Sequence, residues 1–254
     1  MSNRSAQSRR AALRAQQELE ARRKRTNRIL LVAFAVIGAI IVGIVGFVIA
    51  QEASKGSKLA GEQITPPNAN DAGILVSTTK PKDGVPHVVV WEDFLCGACA
   101  HTTRVFGDAM QKLADDGEIK LEYRMLSGLG EASGRAAAAA AAADTVGMFP
   151  AYLKAAFTHY QTGYPNNVLR ETVPQQIGLT GEKLEAFLRA YDSGAMNQFV
   201  QKTQEAAKQA NVRYTPYIVV DGKEKPLFIH DPQTKKSNPA AEPTPEAVLA
   251  YFKS

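Results

Sequence analysis

The sequence predicts an α/β domain that carries an inserted block of helices and is preceded by one membrane-spanning helix. Three observations predict it. A strand pattern at residues 87–91 is followed by a helical pattern and by another strand at 119–126. A long helical stretch, 131–210, separates these strands from a later one. Residues 29–50 are an uncharged, largely apolar run in a chain of 254 residues. The folded domain is therefore expected over 73–254.

The first 28 residues form a strongly basic segment. They hold nine Lys or Arg residues against Glu18 and Glu20, which gives them a net charge of +7, whereas the whole chain carries +5. The rest of the chain therefore carries −2, and it has no basic surplus with which to neutralise nucleic-acid phosphates. We predict that residues 1–28 are a cytoplasmic tail attracted to anionic membrane lipid.

Residues 29–50 have the length of a transmembrane helix, since about 20 apolar residues span a bilayer core. Because the basic segment precedes them, the N-terminus is expected in the cytoplasm and the C-terminal domain outside it, in a single-pass cell-membrane protein. A cleaved signal peptide is the alternative, although its apolar region is normally only about 7–15 residues long. Residues 51–72 are polar, contain Pro66 and Pro67, and are predicted to be a flexible linker.

The sequence of the first half of the folded domain predicts two strands, a helix and a third strand, in that order. Ile74–Ser77 is a short strand candidate, and His87–Trp91 is a valine-rich strand of the buried kind. A helix is expected to run to about Ala114, followed by a strand at Ile119–Leu126 with alternating apolar residues. A strand, a helix and a strand in this order predict a parallel pair with a right-handed crossover.

The helical block spans about 131–210. Eight consecutive alanines, Ala136–Ala143, predict a helix that packs closely against its neighbours. Further helices are predicted at Asn167–Ile177, Thr180–Tyr191 and Gly194–Ala210.

The C-terminal part returns to strands. Tyr214–Val220 is a strand candidate, and Asp221-Gly222 is a two-residue hairpin signal that predicts a returning strand at Lys223–Ile229. The polar stretch Asp231–Thr244 is predicted to be a loop, and Pro245–Lys253 a closing helix.

Cys96 and Cys99 are the only cysteines, and they lie at the junction between the valine-rich strand and the following helix. A cysteine in the first turn of a helix faces free N–H groups and the positive end of the helix dipole, and both favour the reactive thiolate. Cys96 fits that position, and Cys99, one turn further, could resolve a mixed disulfide. The linking residues, Gly97 and Ala98, add no further donor side chain.

The cysteine pair could also be a structural disulfide, half of a zinc site, or a chance occurrence. A disulfide across so short a ring constrains little chain. A zinc site would have to be completed from only four histidines, since there is no second cysteine pair, and no metal site is predicted. His101 is interpreted as a surface residue. The chemistry expected of the pair needs no cofactor.

Three segments together resemble the DsbA-like family of disulfide oxidoreductases: Val88–Cys99, the helical stretch from Gly134 to Leu153, and Thr215–Gly222. The resemblance covers about residues 73–254. It implies a thioredoxin-like fold with an inserted all-helical subdomain at about 131–210.

The resemblance also implies roles for individual residues. Pro216 would be a cis-proline facing the cysteines, and Thr215 would contribute backbone contacts to the substrate. The chain departs from the family at Gly97, where a proline usually follows the first cysteine. It departs again at Val90, where related proteins often hold a buried acid. Glu92 and its neighbour Asp93 are then the candidate proton relays.

The combined expectation is a membrane-anchored, extracytoplasmic thiol-disulfide oxidoreductase. It would form disulfide bonds in cysteine-containing secreted or cell-envelope proteins. The family resemblance implies re-oxidation by a quinone-linked membrane partner. The alternatives are a reductase or isomerase, for example in cytochrome maturation, and a non-catalytic binding module with a thioredoxin fold.

Overall fold

The computed structural model describes residues 62–77 and 79–254, all of which belong to one unit of the chain, Leu59–Ser254. The predicted tail at 1–28, the predicted membrane helix at 29–50 and the first part of the predicted linker lie outside the described residues. Within the described ranges, no helix combines the length and the apolar character needed to cross a bilayer.

The fold is built on a six-stranded sheet. Its strands are β1 (Ala69–Asn70), β2 (Gly73–Leu75), β3 (His87–Asp93), β4 (Lys120–Leu126), β5 (Tyr217–Val220) and β6 (Lys223–Glu224). Their order across the sheet is β1-β2-β4-β3-β5-β6. Strand β3 is parallel to β4 and antiparallel to β5, so the predicted parallel pair is confirmed.

Strand β3, which leads directly to the cysteine pair, lies between two other strands. Val90 pairs with Tyr123 on β4 and with Ile218 on β5, and both Val88 and Val90 are fully buried. The continuous valine run is what a strand needs when it is enclosed on both faces. This burial fixes the register of β3, and with it the place where the chain leaves the sheet after Asp93.

Helices cover the sheet and form the inserted block. They are α1 (Gly97–Asp115), α2 (Glu131–Asp144), α3 (Phe149–Phe157), α4 (Val173–Gln176), α5 (Gly181–Asp192), α6 (Asn197–Gln209) and α7 (Pro245–Lys253). A 3₁₀ turn at Tyr160–Thr162 follows α3, and a π-helical turn at Val168–Thr172 precedes α4. The predicted helical block and closing helix are confirmed. The helix expected at 167–177 begins as the π-helical turn and continues as the α-helix α4.

Helix α2 buries all eight of its consecutive alanines, none of which is more than 6% exposed. It packs against α3, α5, α6 and β4. Because alanine carries only a methyl group, these four elements can approach the helix closely on several sides. The predicted close packing of this run is therefore confirmed.

The N-terminal boundary of the sheet differs from the expected one. Strand β1 lies inside the stretch 51–72 that was predicted to be a linker, and β2 begins one residue earlier and ends two earlier than expected. Asp144 is buried at the end of α2, and its carboxylate accepts hydrogen bonds from the backbone N–H (2.8 Å) and the side-chain amide (2.9 Å) of Asn68. A buried carboxylate needs such donors, which explains why this polar segment lies against the helix.

The prediction of one returning strand over Lys223–Ile229 is wrong. Strand β6 ends two residues before Pro226, which has no N–H for a strand ladder. The chain then forms a separate hairpin from β7 (Phe228–Asp231) and β8 (Lys236–Pro239). The stretch 231–244, predicted to be a loop, therefore contains a strand.

Candidate active site

Cys96 occupies the N-cap of α1, directly after β3. Its backbone is extended (φ −84°, ψ 113°), and its N–H donates to the carbonyl of Asp93 at 2.9 Å. The N–H of Cys99 donates to the Sγ of Cys96 at 3.3 Å. The sulfur thus takes the place that a serine or aspartate oxygen often holds at a helix N-terminus.

The two thiols differ in accessibility. Cys96 is partly exposed, and the two residues that follow, Gly97 and Ala98, are exposed. Cys99 is fully buried, and both cysteines are free thiols. Cys96 can therefore be reached by another protein, whereas Cys99 can be reached only through Cys96.

The two thiols also differ in their pKa values. The pKa of Cys96 is lowered to about 6, chiefly because the Cys99 thiol donates a hydrogen bond to the Cys96 thiolate. Partial burial opposes this effect, while Thr215 and the backbone N–H groups of Cys99 and Ala98 add to it. The pKa of Cys99 is raised, first by burial, then by the bond to Cys96 and by the nearby charge of Glu92. Cys96 is therefore the more acidic thiol of the pair, and Cys99 holds a proton at neutral pH.

The predicted substrate-facing residues lie beside Cys96. The Thr215–Pro216 peptide bond is cis, and the carbonyl oxygen of Thr215 lies 3.3 Å from the Sγ of Cys96. Thr215 and Pro216 are both half-buried in a loop, so β5 begins at Tyr217 and not at Tyr214 as predicted. The fold thus brings together two segments that are 119 residues apart in sequence.

Glu92 is completely buried beneath α1. The hydroxyl of Thr103, on α1, lies 3.2 and 3.4 Å from its two carboxyl oxygens. The pKa of Glu92 is raised to about 8, first by burial, with a smaller contribution from the charge of Cys96, while the bond from Thr103 opposes the rise. A carboxyl group with such a pKa can accept and return a proton near neutral pH.

Asp93 points away from this cluster, as expected for the next residue in a strand. One of its carboxyl oxygens accepts from the N–H of Leu95 (2.9 Å), and the other from the N–H groups of Gly128 (3.1 Å) and Leu129 (3.2 Å). These three bonds tie the loop before Cys96 to the loop after β4. The structure therefore gives the two acidic neighbours different surroundings: Glu92 faces the cysteines and Asp93 organises two loops.

Val90 and Gly97 are the two positions at which the sequence departs from the family pattern, and the structure shows what surrounds them. Val90 is buried two residues before Glu92, so both side chains lie on the same face of β3. The ring of Tyr160 lies next to Gly97, where a Cβ would be 3.4 Å from the ring. His101 is exposed, accepts a hydrogen bond from Arg104 at 2.6 Å and packs against Phe228 with the two rings tilted by 34°.

Thr103 and Tyr164 also belong to the site, although neither was predicted from the sequence. Thr103 lies four residues after Cys99, which puts both on one face of α1, and this spacing could have revealed it. The hydroxyl of Tyr164 lies within hydrogen-bonding distance of the carbonyl groups of Phe94 (3.2 Å) and Ala156 (3.0 Å). No local sequence pattern indicates that contact, since Tyr164 is 70 residues from Phe94.

A family model and several solved structures match this chain. A family model described as Thioredoxin matches residues 82–238. The MdbA protein of Actinomyces oris, a thiol-disulfide oxidoreductase, is 17% identical, with a TM-score of 0.59, over 78% of this chain and 98% of that one. The MdbA protein of Corynebacterium diphtheriae, also a thiol-disulfide oxidoreductase, is 20% identical, with a TM-score of 0.55, over 66% and 91%.

A reduced DsbA from Mycobacterium tuberculosis is 26% identical over 61% of this chain and 84% of its own, with a TM-score of 0.49. No curated protein matches the chain. The two MdbA structures share the fold of this chain.

Proposed function

Since the chain belongs to the thioredoxin family, we propose that it is a thiol-disulfide oxidoreductase that forms disulfide bonds in secreted and cell-envelope proteins. One observation carries the proposal. Cys96 is an accessible thiol with a pKa lowered to about 6, placed between the N–H of Cys99 and the carbonyl of Thr215. A structural disulfide would need neither the accessibility nor the acidity. The MdbA proteins that share the fold are described as enzymes of this class.

The oxidising half-reaction begins with the Cys96–Cys99 disulfide. A client thiolate attacks the Sγ of Cys96, the bond between the two enzyme sulfurs breaks, and Cys99 leaves as a thiolate. Glu92 gives Cys99 a proton. A second client thiolate then attacks the client sulfur of the mixed disulfide, and Cys96 leaves as a thiolate. Two electrons pass from the client to the enzyme, and no cofactor is needed.

The acidity of Cys96 favours this direction. A thiol of low pKa is a good leaving group, and stabilising its thiolate stabilises the reduced enzyme. Stabilising the reduced form makes the disulfide a stronger oxidant. A reductase, for example in cytochrome maturation, requires the opposite balance, with a less stable thiolate and a lower reduction potential.

We place this domain outside the cytoplasm, attached to the cell membrane by residues 29–50. The proposal rests on the basic segment 1–28 and the apolar run that follows it. Its partners are then cysteine-containing client proteins, membrane lipid around the anchor, and a quinone-linked membrane protein that re-oxidises the pair. The anchor is tested by alkaline extraction of membranes: a protein that is released, or whose mature N-terminus follows residue 50, contradicts it.

The exchange activity is tested with a reduced two-cysteine peptide and with a peptide in which both cysteines are serine. Cys96→Ser should abolish oxidation of the reduced peptide by the Cys96–Cys99 disulfide. Reduced Cys99→Ser, mixed with the disulfide form of the two-cysteine peptide, should accumulate a mixed disulfide, because Cys96 displaces one peptide thiol and no Cys99 follows to resolve the product. The serine peptide should give neither product. A binding module would leave peptide oxidation at the uncatalysed rate in the wild-type protein.

Equilibration with glutathione tests the direction. An oxidase is expected to have a reduction potential above about −200 mV, whereas a value near about −270 mV would indicate a reductase.

A further inference from the structure

The buried acid of the site has no direct access to water. Glu92 is 0% exposed. If the chain is the proposed oxidoreductase, Cys99 must take up one proton when it is released and lose one when it attacks, whichever way electrons flow. Glu92 can take part in each turnover only if its carboxyl group exchanges a proton with solvent between turnovers. The structure should therefore contain a route from this carboxyl group to the surface.

Thr103 connects Glu92 to an open cleft. Its hydroxyl lies 3.2 and 3.4 Å from the two oxygens of Glu92, and the residue is 3% exposed. The same residue lines a cleft of about 530 Å³ between α1 and the end of α3. That cleft also reaches Gly97, the residue after the nucleophile, and is wide enough to hold water.

We propose that the Thr103 hydroxyl relays protons between Glu92 and water in this cleft. A hydroxyl group donates one hydrogen bond and accepts others, so it can accept a proton from one side while it gives its own to the other. In the outward step, the Cys99 thiol gives its proton to the Glu92 carboxylate. The Glu92 carboxylic acid, the Thr103 hydroxyl and a water then become carboxylate, hydroxyl and hydronium. The inward step is the reverse, so the relay serves oxidation and reduction alike.

Other titratable groups surround this route. On the cleft side, Arg104 donates to His101 (2.6 Å), Lys154 donates to Asp108 (2.5 Å), and Tyr160 lines the wall. Both partners in each of these two contacts are exposed, and Tyr160 is half-buried.

On the buried side, Glu92 faces Cys96, Cys99 and Tyr123. The pKa of Tyr123 is raised well above its usual value, first by burial and then by the charge of Glu92, so Tyr123 stays neutral. The thiols exchange the proton with Glu92, and Thr103 bridges Glu92 to the cleft.

The test uses the full chain and glutathione disulfide. The reduced enzyme attacks this probe through Cys96 and forms a glutathione mixed disulfide, which Cys99 then resolves with release of glutathione. Acid-quenched samples analysed by mass spectrometry give both rates as a function of pH. Thr103→Val removes the hydroxyl with little change in shape, Thr103→Ser restores it, and Thr102→Val makes the same change at the neighbouring buried position.

We expect Thr103→Val to leave the rate of mixed-disulfide formation unchanged and to slow its resolution about 100-fold at pH 7, the lower end of the range that positioned proton-transfer groups contribute. The deficit should shrink as pH rises above about 8, because Glu92 is then already a carboxylate and can accept the proton of Cys99 without first passing its own proton to the cleft. Thr103→Ser and Thr102→Val should resolve the intermediate at the wild-type rate.

Equal resolution rates in Thr103→Val and the wild type at every pH would overturn the relay and leave the exchange activity intact. A wild-type enzyme that never forms the mixed disulfide would overturn the proposed function instead. If Thr103→Val fails to fold, Thr103→Ala is used: acetate or imidazole small enough to enter the cleft should restore its rate, and the absence of any rescue counts against the relay.

Discussion

Replacing Glu92 with glutamine should remove the loss of stability that the buried carboxyl group causes as pH rises. The carboxyl group has an ordinary pKa of 4.5, which burial raises to about 8 in the folded chain. Between these values the folded chain holds one proton more than the unfolded chain, so its free energy of unfolding falls as pH rises. Below 4.5 the group is protonated in both states and contributes no pH dependence. Above 8 the folded state bears the full cost of the buried charge.

The size of the effect follows from the two pKa values. Since a tenfold change in ionisation corresponds to about 1.4 kcal/mol, a pKa raised from 4.5 to about 8 costs the folded state about 5 kcal/mol above pH 8. Glutamine avoids this cost but buries an amide whose N–H groups lack a partner, which costs about 1–3 kcal/mol at every pH. Glu92→Gln is therefore expected to be less stable than its parent at pH 4.5 and about 2–4 kcal/mol more stable at pH 8.5.

Urea unfolding from pH 4.5 to 8.5 measures this directly. Both proteins should carry Cys96→Ser and Cys99→Ser, so that thiol titration does not contribute to the slope. The decisive quantity is the difference in unfolding free energy between the two proteins as a function of pH. A difference that stays constant over this range would refute the reasoning, because it would mean that Glu92 titrates alike in the folded and unfolded chain.

Three further predictions concern the surroundings of Glu92 and the edge of the sheet. The ultraviolet absorbance of thiolate should appear with a midpoint near pH 6 in the reduced protein and be missing from Cys96→Ser, because the Cys99 thiol stabilises the Cys96 anion. Asp93→Asn should lower the free energy of unfolding by about 3 kcal/mol, since three backbone donors lose a charged acceptor, whereas the exposed Asp83→Asn should change it little. Gly73→Ala should cost about 2 kcal/mol in thermal denaturation, because the added methyl group would overlap the buried carboxyl group of Glu122.

Each of these has a contrary outcome. A thiolate midpoint at pH 8 or above would mean that the helix N-terminus and Cys99 do not activate Cys96. Equal stability of the Asp93 and Asp83 variants would show that the loops keep their conformation without the carboxylate. A Gly73 variant as stable as the wild type would show that Glu122 can move, despite its bonds to Asn70, His87 and Arg124.

Local patterns predicted the part of the site that is local in sequence. The valine run and the helical spacing after it place Cys96 at the junction of β3 and α1, because both patterns depend only on near neighbours. The position of Thr215 beside Cys96 could be predicted only from the family resemblance, since the contact joins distant segments. The returning strand after β5 was predicted wrongly because the hairpin signal at 221–222 outweighed Pro226 further along.

The choice between Glu92 and Asp93 could not be made from sequence. Both are acidic and adjacent, and neighbouring residues of a strand point to opposite faces. Which face lies under α1 depends on how the helix packs, and only the contact with Thr103 shows that Glu92 lies on it. Related proteins often have a buried acid at the position of Val90. In this chain Glu92, two residues closer to Cys96 on the same face of β3, is the buried acid.

The carboxylate of Asp93 has a consequence for natural and engineered variation. It binds the chain at Leu95 and again at Gly128 and Leu129, so the distance between these two loops is set by a single side chain. An insertion or deletion at 127–130 would displace the backbone that carries the nucleophile, whereas the exposed turn at 232–235 can change length without reaching it. Tags, epitopes or new binding loops therefore belong in the β7–β8 turn, and the loop after β4 should keep its length.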